Sequence, residues 1–111
     1  MTTTELIKNI GLKALSEFDD REITGVFVSD MLSDVMAGAK SGDLWVTVQT
    51  HKSIVPAANL VDVSAVIITS GKEVPQDTVE LANKHNIAIL KSDLPTFELV
   101  GKLYGLGLVT K

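Results

Sequence analysis

The sequence has no cysteine, which removes disulfides, thiolate nucleophiles, iron–sulfur clusters and cysteine-based zinc sites together. It also lacks an excess of positive charge. Ten Lys and Arg stand against 14 Asp and Glu, for a formal charge of -4, whereas a protein that grips a phosphate backbone needs a clustered basic face. Nucleic acid is therefore not an expected partner. No apolar run approaches the roughly 18 residues that span a bilayer, and the opening Met1-Thr2-Thr3-Thr4-Glu5 lacks the basic-then-apolar pattern of a secretory signal. No membrane association is expected, and a cytoplasmic location is. What is present has the balance of a folded soluble chain, with 45% hydrophobic and 22% charged residues. A length of 111 residues suits a single domain over 1–111.

Three β-branched runs read as strands: Leu44-Trp45-Val46-Thr47-Val48, Ala65-Val66-Ile67-Ile68 and Ile87-Ala88-Ile89-Leu90, with an earlier one over Ile23 to Val28. They are nearly continuous in apolar character rather than alternating, as strands covered on both faces are. The stretches between them are long enough for the crossover helix that a parallel connection requires. The expected fold is therefore α/β: a layered, mostly parallel sheet of four or five strands flanked by helices.

The helices have legible ends. Thr2-x-x-Glu5 forms a capping box for a short helix over 2–10 that stops at Gly11. A brief extended piece is expected over Leu12 to Leu15, and the acidic stretch Glu17 to Glu22 reads as a solvated loop. Residues 30–39 place Met31, Leu32, Val35, Met36 and Ala39 on one helical side, where the two methionines are read as core filling. Residues 54–61 are apolar nearly all round, with Ser53 as N-cap and Pro56 in the first turn, where its missing N–H has no intrahelical partner to lose. Pro75 opens a helix over 76–85 in the same way. In the last helix, Pro95 to Leu106, Phe97, Val100 and Tyr104 form one apolar stripe and Leu99, Leu103 and Leu106 another. The first is assigned to the sheet. The leucine stripe then lies exposed beside Glu98 and Lys102 as a dimerisation surface.

Catalytic motifs are missing. Gly71-Lys72 follows a strand and precedes a helix, but a P-loop needs G-x-x-x-x-G-K-[ST], and Val66 and Glu73 occupy the places of its first glycine and its hydroxyl. G-x-G-x-x-G and G-x-S-x-G are absent, and His51 and His85 lack metal-ligand spacing. No enzyme, metal site or cofactor is expected. What the strands do share is a polar residue pair or run at each C-terminal end: Ser29-Asp30, Thr50-His51-Lys52-Ser53, Ser70-Gly71-Lys72 and Ser92-Asp93. Ligands of open parallel sheets bind there, and helix N-termini present N–H groups to anions. Helix capping alone also accounts for such residues. The candidate ligand site is Thr50, His51, Lys52, Ser53, Ser70, Gly71 and Lys72, for a small anionic metabolite.

One family is visible in the order of these pieces. The strand ending in Thr69-Ser70-Gly71, the Val74-Pro75 helix entry, the Ile87 to Leu90 strand and the run Asp93-Leu94-Pro95-Thr96-Phe97 resemble the DRTGG domain family over about 25–108. The Asp-Arg-Thr-Gly-Gly pentapeptide itself is absent, and Thr50-His51-Lys52 stands in its neighbourhood. The resemblance implies a fold similar to the N-terminal domain of HPr kinase/phosphorylase, without that protein's P-loop domain. It further implies a non-catalytic regulatory or assembly role, as a homodimer or docked on a partner protein. A sensor for a nucleotide or another anion at the strand ends is the alternative.

Overall fold

The computed structural model describes all of residues 1–111. The elements follow in the order α1 (Thr3–Ile10), β1 (Lys13–Ala14), β2 (Gly25–Val28), α2 (Leu32–Gly38), β3 (Asp43–Thr47), α3 (Ile54–Val61), β4 (Ala65–Ile68), α4 (Gln76–Lys84), β5 (Ile89–Lys91) and α5 (Thr96–Gly105). They form one five-stranded sheet in the order β1-β5-β4-β3-β2. β2 to β5 run parallel, and β1 lies antiparallel against β5. The mostly parallel α/β sheet expected from the apolar runs is the observed one.

Alternation along the strands splits the core into two layers. Leu44, Val46, Ile67 and Leu90 pack beneath α1 and α5 with Leu6, Leu99 and Leu103. Trp45, Val66, Ile68 and Ile89 pack beneath α2, α3 and α4 with Val35, Ile54, Val55, Ala58 and Ala82. Both faces being covered is why β3 and β4 are buried along their whole length. α1 begins at the expected capping box: the Glu5 N–H donates to Thr2 Oγ1 at 3.2 Å and the Thr2 N–H to Glu5 Oε1 at 2.9 Å. It ends at Gly11, whose φ of 69° favours glycine.

Two side-chain assignments are corrected. Leu99 and Leu103 are buried against the sheet, while Phe97 and Tyr104 are 86% and 72% exposed; Leu106 is 39% exposed. The two stripes of α5 are comparably apolar in sequence. The branched leucines interlock with Leu6 from α1 in the same layer, which leaves the aromatics outside. Met31 and Met36 are likewise exposed. α2 starts only at Leu32 and buries Val35 alone, so Met31 falls outside the helix as its N-cap.

The N-terminal ends of the strands are fastened by one crossing segment, residues 15–24. Ser16 Oγ donates to the Ile87 carbonyl at 2.6 Å and accepts from the Ile89 N–H at 2.8 Å, both inside the core. The Glu17 and Asp19 N–H groups donate to the side-chain oxygens of Asn83 and Asn86. Arg21 forms a two-pronged pair with Asp62 at 3.0 and 3.2 Å, and Ser64 Oγ donates to the Glu22 carbonyl. The acidic stretch is thus a loop with exposed acids but a pinned backbone. Hydrogen bonds from Ser41, then from Arg21, hold the Asp62 carboxyl below its ordinary range. At the far edge, the Val26 N–H of β2 donates to the Val109 carbonyl at 3.1 Å, so the C-terminal tail lies along that strand.

Candidate functional site

The C-terminal strand ends are tied together chiefly by hydroxyls and a shared aspartate. Asp30 Oδ1 accepts from Thr47 Oγ1 and from the Val48 N–H, both at 2.9 Å, and the Trp45 indole donates to the Ser29 carbonyl at 2.8 Å. Thr69 and Thr96 share a 2.7 Å hydrogen bond that joins the end of β4 to the start of α5. Thr78 Oγ1 donates to the Thr50 carbonyl at 2.8 Å, which anchors α4 to the loop after β3.

Much of the backbone hydrogen-bonding capacity of the seven candidate residues is already used. The Ser53 N–H donates to His51 Nδ1, which also lies 3.0 Å from Ser53 Oγ. The N–H groups of Ile54 and Val55 donate to the carbonyls of His51 and Lys52, and Pro56 has none. The first turn of α3 therefore offers an anion no free N–H, contrary to the expectation from sequence. In the next loop the Ser70 and Gly71 N–H groups donate to the carbonyls of Leu94 and Ser92 at 2.8 and 2.9 Å. Both residues have positive φ, 64° and 62°. A Cβ on Gly71 would also stand 3.2 Å from Asp93 Oδ1, so this position needs glycine for conformation and for close approach.

The structure does not bring the seven residues to one cavity. Lys52 lines a groove of about 430 Å³ with Asp77, Glu80, Leu81 and Lys84 from α4, where two carboxylates offset the two ammonium groups. Thr50, His51, Ser53, Ser70, Gly71 and Lys72 line none of the four cavities in the molecule. A second recess, of about 300 Å³, lies at the β1/β5 corner of the same sheet end and is lined by Gly11, Lys13, Lys91 and Asp93. Sequence reasoning missed it because only the antiparallel pairing of β1 with β5 places Lys13 opposite Lys91. A third candidate surface is the apolar groove formed by Val28 of β2, Val100 and Tyr104 of α5, and Leu108 and Val109 of the tail.

No curated protein matches the sequence. Among solved structures, the chain is similar to the CBS and DRTGG domains of the regulatory region of Clostridium perfringens pyrophosphatase, crystallised with its activator diadenosine tetraphosphate. The identity is 19% and the TM-score 0.69, over 89% of this chain and 44% of that one. This chain thus spans less than half of that structure and shares its fold. The profile of the DRTGG domain matches residues 5–106, a wider span than the 25–108 read from the motifs, since it takes in α1 and the crossing segment. With that match over nearly the whole sequence, the chain belongs to the DRTGG domain family.

Proposed function

We propose that this protein is a non-catalytic regulatory domain that works by assembly, pairing with a second copy of itself through the outer face of α5. The observation that carries the reading is the composition of that face. Phe97 and Tyr104 project two turns apart on the same side and are largely exposed. Gly101 and Gly105 lie beside them in the helix, and a Cβ at either would meet nothing within 4 Å. Neither glycine has positive φ, unlike Gly107 at 87° beyond the helix end. Gly101, in the helix interior, costs about 1 kcal/mol relative to alanine with no return inside one chain. A second helix gives that return: the flat glycine surface admits a close approach, and the ring of one copy fills the hollow of the other. A two-fold contact needs such self-complementarity, because the same patch serves both partners.

The regulatory part of the reading rests on the neighbour, whose DRTGG domain sits in the regulatory region of an enzyme. The non-catalytic part rests on the missing P-loop Lys-Ser/Thr pair, and the purified protein is expected neither to hydrolyse ATP nor to phosphorylate HPr. Sedimentation velocity tests the assembly. Wild type is expected to be a dimer at high micromolar concentration, and Phe97→Glu/Tyr104→Glu a folded monomer, since both side chains lie outside the core. A wild type that stays monomeric, or a double variant that still dimerises, rules out this face.

A further inference from the structure

We propose that the recess at the β1/β5 corner is a binding site for a small phosphate monoester that carries a hydroxyl next to its phosphate-bearing carbon. Lys13 and Lys91 are direct partners in the antiparallel register. Partners in register project from the same face of the sheet, at a separation where like charges repel. Ile89, two residues before Lys91 in β5, belongs to the layer beneath α3 and α4, so both ammonium stems leave from that face.

Two carboxylates, those of Glu73 and Asp93, stand near the pair, and neither forms an ion pair with Lys13. Lys13 takes part in none of the three ion pairs of the molecule. Lys91, whose side chain is only 20% exposed, reaches one carboxylate, that of the fully solvated Glu73, at 4.0 Å. Asp93 lines the recess without an ion pair to either lysine. Lys13, free of any ion pair, and Lys91 line the same polar hollow and give a phosphate two cationic donors. Asp93, in the same lining, accepts hydrogen bonds only, so the rest of the ligand must present a donor to it. A hydroxyl close to the phosphate supplies one. The volume of about 300 Å³ lies at the small end of ligand cavities, which fits a glycerol or sugar phosphate rather than a dinucleotide.

The site also lies next to the entry of α5 and the loop after β4. Asp93 follows Ser92, whose carbonyl accepts from the Gly71 N–H, and two residues later the chain enters α5. Gly11, also in the lining, joins α1 to β1. None of the four lining residues belongs to α5, so the test is independent of the dimer face.

Amide chemical-shift mapping on the full chain at fixed ionic strength gives the test, with inorganic phosphate and glycerol 3-phosphate as titrants and sodium chloride as reference. Saturable shifts are expected at Gly11, Lys13, Lys91 and Asp93, with the ester binding more tightly than inorganic phosphate. Lys13→Gln and Lys91→Gln are each expected to weaken binding about tenfold. Asp93→Asn is expected to remove the ester's advantage. If Lys91→Gln disturbs the sheet, Lys13→Gln, on an exposed side chain, gives the deciding comparison. Shifts that never saturate, that map to Thr50–Ser53 instead, or that survive Lys13→Gln unchanged overturn the site, and an ester that binds no better than inorganic phosphate overturns the ligand class.

Discussion

The two ends of the parallel sheet are built on different terms. At the N-terminal ends, residues far apart in sequence lock one another: Ser16 to Ile87 and Ile89, Arg21 to Asp62, Ser64 to Glu22. At the C-terminal ends the bonds are mainly hydroxyls joining neighbouring loops, and Lys13, Lys52 and Lys72 are in no ion pair. One end holds the layers in register. The other leaves those three lysines without a carboxylate partner.

Ser16→Ala breaks the fastened end most severely. It leaves a buried N–H and a buried carbonyl without partners, and a loss of about 3 kcal/mol is expected in urea unfolding. A loss within experimental error would mean that the crossing segment follows the sheet rather than fixing it.

Acid sharpens the comparison with a smaller effect. The carboxyls of Asp62, Glu5 and Asp20 all lie below their ordinary values of 3.8, 4.5 and 3.8; the main causes are the Ser41 hydroxyl for the first, the Thr2 N–H for the second and the Thr4 N–H for the third. A depressed carboxyl adds stability that is complete above its unfolded pKa and is lost as pH falls through its folded one. Stability is therefore expected to drop below about pH 4.5. Amide exchange is expected to quicken first around Thr2–Glu5 and Ser41. Ser41→Ala is expected to be less stable than wild type at neutral pH, with the gap closing as the solution becomes more acid than the ordinary Asp62 value. A gap constant with pH would remove the carboxyl from the explanation.

Lys72→Ala probes the open end and has the smallest expected effect, within about 0.5 kcal/mol of wild type. A larger destabilisation would show that this end, too, is held by its charges.

How much of this could be read from sequence depends on how local the cause is. Strands β3, β4 and β5 were legible because burial on both faces leaves continuous apolar runs such as Ala65–Ile68. The start and stop of α1 were legible because Thr2, Glu5 and Gly11 act within a few residues of one another. The orientation of α5 was not, since choosing between Leu99 and Phe97 depends on where Leu6 of α1 packs. The anchoring of Glu17 and Asp19 was hidden for the same reason, its partners being Asn83 and Asn86. At the strand ends the residue types were read correctly as polar, but their bonding was not. Whether an N–H is free depends on turn geometry, as the i to i−3 bonds of Ile54 and Val55 show.

The tail along β2 bears on how molecules of this kind can meet in solution. An open sheet has two lateral borders, and each is an invitation to stack strands without limit. Here one border is only two residues long and carries Lys13, while the other has its Val26 N–H occupied by Val109. Both borders are thus poor templates for growth into ribbons. The pairing proposed for α5 would instead meet across a helical face, where a two-fold contact is finite and closes on itself.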